Sequence, residues 1–352
     1  MIKVLIVDDS ALMRRQLTQL FESEGDFTVL TARNGEMAVS ENQQFEPDVI
    51  TLDINMPQMD GLTALSIIMN ERPVPVVMFS SLTEQGALAT FEALNLGAVD
   101  YVPKPDGTIS LTIDEVRDEL IAKVRSAAKA KLKTKMKVAA RPERRLEAST
   151  LAARITPMGE LAQDELVVMG VSTGGPRTLE EVLPQLPADF PRPVLVAQHM
   201  PATFTKSFAE RLDQFCPLKV VEVNTAMKLH KGHIYIAKGG ADMVITRRLK
   251  TLMATPKPEN PKYLWHPSVE LLGQSVLEHC DPRKIIAVML TGMGHDGADA
   301  FAEIHRRGGR TIAESEESAV VYGMPAELVA RRGAQMILPA EQIANQLIKW
   351  AS

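Results

Sequence analysis

Three residues with the chemistry of a nucleophile, a base and an acid each follow a short apolar run: Ser172, His199 and Asp296. A serine hydroxyl attacks carbonyls only where a neighbour accepts its proton and a third group orients that neighbour. Leu166–Met169 runs into Gly170-Val-Ser-Thr-Gly-Gly-Pro176, which places Ser172 on a strand-to-helix turn beside the positive end of a helix. The same glycines would serve a phosphate cradle or a plain tight turn. His199 follows the run Val194–Ala197. Asp296 follows Ile285–Leu290 within Thr-Gly-Met-Gly-His-Asp-Gly, a second glycine-rich turn able to offer backbone N–H groups. The chain order Ser…His…Asp differs from that of α/β-hydrolases, so geometry has to decide whether the three form a triad.

A second group is built from carboxylates. Asp8 and Asp9 end the first apolar run, Asp53 ends the third, Ser80 the fourth, and Lys104-Pro105 follows the fifth. Residues at the carboxyl ends of parallel strands converge on one crevice. Clustered carboxylates repel one another and suit a hard cation with oxygen ligands, which points to Mg2+ at Asp8, Asp9 and Asp53. Cation and Lys104 together would stabilise a phosphoryl group attacked by Asp53, with Ser80 donating to one of its oxygens. Taken singly, such aspartates could simply cap helices. Of the remaining histidines, His295 adjoins Asp296, and His230 and His233 lack a third ligand. His266, His279 and His305 read as surface or cap residues of helical segments.

The elements that must position these groups alternate. From residue 1 to 123, Lys3–Val7, Phe27–Leu30, Val49–Leu52, Val76–Phe79 and Val99–Val102 read as strands, with helical periodicity in Ala11–Glu22 and Gly61–Asn70. Five β/α units imply a parallel, doubly wound sheet. A basic run from Lys123 to Arg145 leads into a basic linker, residues 124–160, either a solvated hinge or a docking strip for an acidic partner or nucleic acid. Residues 161–352 resume the alternation, with runs Leu166–Met169, Val194–Ala197, His233–Ala237, Met243–Thr246 and Ile285–Leu290, and helical segments Thr178–Leu186, Phe204–Phe215 and Val269–His279. A second α/β domain, mostly parallel, follows from that pattern.

At 352 residues the chain exceeds one core and suits two domains. A net charge of −5 argues against a nucleic-acid-binding output, and no recognition-helix module is visible. A Gly-x-Gly-x-x-Gly nucleotide cradle is absent, since Ser172 takes the middle position. With two unpaired-looking cysteines, Cys216 and Cys280, no signal-peptide core and no apolar run of spanning length, a cytoplasmic protein without membrane insertion is expected.

Val7-Asp-Asp-Ser, Leu52-Asp-Ile-Asn-Met-Pro, Phe79-Ser-Ser and Tyr101-Val-Pro-Lys-Pro resemble the response-regulator receiver family. The resemblance implies a flavodoxin-like five-stranded sheet, Asp53 as phosphoacceptor, Asp8 and Asp9 as metal ligands, Ser80 and Lys104 as phosphoryl contacts, and Tyr101 as a reporter aromatic. The Ser172 turn, Gln198-His-Met-Pro-Ala, Gly232-His-Ile-Tyr-Ile-Ala, Pro267-Ser-Val, Met289-Leu-Thr-Gly-Met-Gly-His-Asp-Gly-Ala and Val321-Tyr-Gly-Met-Pro look like the protein-glutamate methylesterase domain, and the whole chain resembles the CheB family of chemotaxis methylesterases.

That resemblance implies hydrolysis of glutamate methyl esters and deamidation of glutamines on methyl-accepting chemotaxis receptors, with no cofactor in the esterase site. Ser172 would be nucleophile, His199 base and Asp296 orienter, with an oxyanion region at Thr173 and Met293. It also implies that a chemotaxis histidine kinase supplies the phosphoryl group and that phosphorylation relieves occlusion of the esterase site. Lys238 replaces the proline expected after Tyr-Ile-Ala, Asp242 stands near an expected histidine, and Glu314-Ser315 replaces glutamine and an acid. The stretch from Glu222 to Lys231 lacks the usual acidic-Gly turn.

Overall fold

Uninterrupted apolar runs form strands covered on both faces, as parallel sheets require. The computed structural model describes residues 1–81, 83–104, 113–130, 132 and 164–351. The chain divides into two compact units, Met1–Lys137 and Val138–Ser352.

The first unit runs β1 (Ile2–Val7), α1 (Ala11–Ser23), β2 (Phe27–Ala32), α2 (Gly35–Phe45), β3 (Val49–Asp53), α3 (Gly61–Glu71), β4 (Val76–Ser81), α4 (Glu84–Leu96), β5 (Asp100–Lys104) and α5 (Ile113–Ala127). Its sheet has the order β2-β1-β3-β4-β5, every pairing parallel. All five residues of β3 are buried. Ser10, Asn34, Asp60 and Thr83 cap α1 to α4, each side chain accepting from a first-turn N–H and starting the helix just beyond the strand's carboxyl end.

α5 continues to Ala127, past the expected boundary at 123. Lys123, read as the start of the basic run, is instead buried in this unit. Its Nζ donates to Tyr101 O at 2.7 Å and pairs with Asp100 and Glu119. Arg125 pairs with Glu24 and Asp26. These two cations neutralise the unit's own acids, so neither belongs to a docking strip. The rest of the linker, from residue 133, lies outside the described residues.

The second unit runs β6 (Leu166–Val171), α6 (Gly175–Val182), β7 (Val194–Gln198), α7 (Ala202–Phe215), β8 (Lys219–Val223), β9 (Met227–Lys228), β10 (His233–Ala237), β11 (Asp242–Arg248), β12 (Thr251–Lys257), α8 (Val269–His279), β13 (Ile285–Met289), α9 (Ala298–Arg306), β14 (Arg310–Glu314), α10 (Met324–Ala330), β15 (Met336–Leu338) and α11 (Ala340–Ala351). Seven strands form a parallel sheet in the order β15-β14-β13-β6-β7-β10-β8. β6, β7 and β13 are buried at every residue. The chain enters at β6 in the middle, builds outward through β7, then returns to β13 on the other side. The order therefore reverses at β6, and the crevice outside the carboxyl ends of β13, β6 and β7 is where α/β sheets bind ligands.

The run Met243–Thr246 departs from the expected parallel alternation. It lies in β11, which pairs antiparallel with β12 and, through it, with β9 in a separate three-stranded sheet. Only two residues, Leu249 and Lys250, join β11 to β12, and so short a connection permits only antiparallel pairing. No described helix is long and apolar enough to cross a membrane.

Candidate active site

The seven-stranded sheet brings the three candidate residues to one edge: Ser172 directly after β6, His199 after β7 and Asp296 in the turn after β13. His199 Nε2 lies 2.8 Å from Asp296 Oδ2. An ionised carboxylate only accepts, so Nε2 carries the proton and Nδ1 is left as the acceptor. That Nδ1 is buried and has no hydrogen-bond partner among the described residues. Ser172, 5% exposed, lies at the end of the neighbouring strand, with no hydrogen bond recorded between its Oγ and His199 among the described residues.

Asp296 is 5% exposed and accepts four hydrogen bonds: from His199, from Ser268 Oγ at 3.0 Å, and from the backbone N–H groups of Val269 (2.6 Å) and Glu270 (2.9 Å). The last two are orphan donors at the N-terminus of α8, where the helix dipole favours negative charge. Burial by itself would raise the Asp296 carboxyl. The His199 bond and charge and the α8 amides outweigh it and hold the carboxyl below its ordinary value.

The Ser172 turn is braced from β13. Ser172 N donates to Thr291 O at 2.9 Å, Thr291 Oγ1 donates to Thr173 O, and Thr291 N donates to Oε2 of Glu314, which is fully buried. Gln198 Nε2 holds the carbonyls of Ser172 and His199 together. At Gly292 a methyl group would come within 2.7 Å of Ser172 Cβ, so only glycine lets the two turns approach this closely. Thr173 is buried on the first turn and Met293 half-buried on the second.

The sequence does not single out Trp265, and Ser268, Thr291 and Glu314 appear in it only within motifs or as a departure, with no role at the site. Trp265 lies nearly parallel to the His199 ring, centroids 5.9 Å apart at 9°, and meets His295 edge-on at 5.6 Å. His295 thus packs on Trp265 rather than on the acid beside it in sequence. His266 is not a helical surface residue: it precedes α8, is half-buried, and its Nδ1 lies 2.8 Å from Oδ1 of buried Asp242. His279 and His305 do lie in the last turns of α8 and α9. The rings of His230 and His233 are 5.7 Å apart, and His233 Nδ1 faces Lys231 O.

In the first unit, Asp8, Asp9 and Asp53 each present a carboxylate oxygen within 4.8 Å of the others, the one such grouping found among the described residues. This donor set is all hard oxygen and fits a divalent cation. Lys104 Nζ lies 2.8 Å from both Asp8 Oδ2 and Asp53 Oδ2. Burial raises the Asp53 carboxyl, partly offset by Lys104 and reinforced by Asp8. β4 carries Ser80 opposite Pro103 of β5; the Ser80 side chain and Pro105 lie outside the described residues. Tyr101 is buried, with Lys123 Nζ 5.0 Å from its ring centroid.

A carboxylate-and-lysine crevice on a 2-1-3-4-5 parallel sheet, followed along the chain by a second parallel unit with a buried His–Asp pair and a strand-to-helix serine, is the pattern of a receiver followed by a serine-hydrolase unit of its own topology. Family models agree. The CheB methylesterase model matches residues 167–347 and the response regulator receiver domain model matches residues 4–113. The chain belongs to the CheB methylesterase family and carries a receiver domain ahead of the methylesterase domain.

It is 55% identical over 358 residues to "protein-glutamate methylesterase/protein-glutamine glutaminase 3" of Rhodospirillum rubrum, covering 100% of this chain and 97% of that protein. It is 50% identical to "protein-glutamate methylesterase/protein-glutamine glutaminase 2" of Rhodopseudomonas palustris, covering 100% and 99%. The crystal structure of the Thermotoga maritima CheB methylesterase catalytic domain superposes with a TM-score of 0.52 at 36% identity, covering 54% of this chain and all of that one.

Proposed function

We propose that the chain hydrolyses glutamate 5-methyl esters, and deamidates glutamines, on methyl-accepting chemotaxis receptors in the cytoplasm, under control of phosphorylation at Asp53. Its relatives are protein-glutamate methylesterases/protein-glutamine glutaminases, and the receiver domain supplies the control. The observation that carries the residue assignment is the His199 Nε2–Asp296 bond, which leaves Nδ1 buried and without a hydrogen-bond partner among the described residues, at the end of the strand paired with the one that leads into Ser172.

In this reading Ser172 Oγ gives its proton to His199 Nδ1 and attacks the γ-carbonyl of the methylated glutamate. Backbone N–H groups at Thr173 and Met293 face the developing oxyanion. The tetrahedral adduct collapses, His199 returns the proton to the departing methoxide, and methanol leaves an acyl-enzyme. Water, deprotonated by His199, then attacks the acyl carbon, releasing glutamate and restoring Ser172. With a glutamine substrate the departing group is ammonia. Asp296 stays ionised throughout and stabilises the imidazolium.

In the receiver, Asp8, Asp9 and Asp53 would hold Mg2+, which when bound neutralises phosphoryl charge. Asp53 accepts the phosphoryl group from a chemotaxis histidine kinase, with Lys104 and Ser80 contacting its oxygens. We assign the receiver to residue 1 through the end of α5 at Ala127, the linker from there to 160 and the methylesterase domain to 161–352, and read phosphorylation as relieving occlusion of the esterase site. Methanol release from methylated receptor membranes tests the assignment. Ser172→Ala and His199→Gln should each lose about 10³-fold or more in kcat; a Ser172→Ala enzyme at wild-type rate would sink it.

A further inference from the structure

A second buried carboxylate, Asp242, holds the segment that carries Ser268 and Trp265 to the His199–Asp296 pair. Asp242, 1% exposed, accepts from Asn260 N (2.9 Å), His266 Nδ1 (2.8 Å) and Ser268 N (2.7 Å), so it clamps both ends of the segment from 260 to 268. That segment ends in Ser268, whose hydroxyl donates to Asp296, and it carries Trp265, whose indole lies nearly parallel to the His199 ring with the centroids 5.9 Å apart. Gly294, two residues before Asp296, packs its backbone against the indole so closely that a Cβ there would lie 2.7 Å from Trp265 Cη2. His295 abuts the indole edge-on.

We infer that Trp265 is a positioning residue for the base: its indole plate holds the His199 ring in the plane that keeps Nε2 on Asp296, and its π-face stabilises the imidazolium formed as Ser172 loses its proton. The inference rests on the proposed Ser172–His199–Asp296 assignment. The stacking separation falls in the range of productive aromatic pairs. An aromatic face interacts more strongly with a cation than with a neutral ring, so the contact strengthens as the proton moves onto His199. That difference lowers the barrier rather than tightening the ground state. His199 is 8% exposed at its side chain.

The test uses the full chain with Trp265→Leu and Trp265→Phe, assayed by methanol release from methylated receptor membranes. It is paired with proton NMR of the 15N-histidine-labelled protein, observing the downfield His199 Nε2–H resonance. Trp265→Leu should lower kcat about tenfold with KM within about twofold, the size expected of a desolvated cation–π contact, and should broaden or shift that resonance. Trp265→Phe, which keeps a π-face, should recover most of the rate and the resonance. A purely structural role would be rescued by leucine as well as by phenylalanine. A raised KM with unchanged kcat would make Trp265 a substrate contact and overturn the inference, as would an unaltered resonance in a slow Leu variant. Ser172→Ala is run alongside: residual wild-type activity there overturns the triad itself, whereas a dead Ser172→Ala with a normal Trp265→Leu overturns only the role of Trp265.

Discussion

Asp296 and Asp53 are both buried aspartates, yet their environments push them in opposite directions, and each direction has a consequence. Asp296 is held below the ordinary 3.8 because the His199 bond and the α8 amides outweigh burial. A carboxyl depressed on folding contributes stability above its unfolded value, lost as pH falls through the folded one. Melting temperatures should therefore drop below about pH 4, and Asp296→Asn should remove part of that drop. The same substitution sets an amide donor against Nε2–H, leaves His199 in the wrong tautomer, and should cost about 10³-fold or more in kcat. Asp53 is raised, chiefly by burial, so its ionised form destabilises the receiver at neutral pH. Asp53→Asn should raise the receiver's melting temperature by roughly 2–5 °C without added metal; calorimetry showing a fall would mean that the Lys104 pair outweighs the burial.

Elements matter here as devices for bringing turns together. α8 is both a packing helix and the donor platform for Asp296: Ser268 caps it by accepting from Leu271 N and, with the same hydroxyl, donates to the carboxylate. Ser268→Ala should cost about 1 kcal/mol in urea denaturation and lower kcat as well, whereas a cap unconnected to the acid would affect only stability. Gly292→Ala would drive a methyl into Ser172 Cβ and Met324 Sδ, 2.7 and 2.5 Å away. Activity should fall far more than the roughly 1–3 kcal/mol of stability that overpacking costs. Strands such as β3, β6, β7 and β13 were legible because an unbroken apolar run leaves little else for the chain to be. β8, with exposed and half-buried positions, and the two-residue β9 carry no such signal. The β11–β12 hairpin was hidden for a different reason: Leu249, not glycine or asparagine, adopts φ +56° at its turn.

At the scale of the whole molecule, both crevices were readable because parallel sheets gather strand-end residues, so Ser172, His199, Asp296, Asp8, Asp9, Asp53 and Lys104 could be named from spacing and resemblance. What encloses them was not. Trp265 and Ser268 reach the site through a clamp on Asp242, and Glu314 through Thr291, contacts between segments with no sequence signature. Two residues first noted as departures from the family pattern, Asp242 and Glu314, prove to be buried braces of the site. The receiver can control the esterase only if phosphate on Asp53 favours a chain state in which the esterase site is open; a tenfold stimulation corresponds to about 1.4 kcal/mol of such coupling. The decisive measurement is methanol release from methylated receptor membranes with and without acetyl phosphate and magnesium, for the wild type and Asp53→Ala. The account predicts stimulation of the wild type and a flat, basal rate for Asp53→Ala. Equal stimulation of both, or of neither, would contradict control through Asp53.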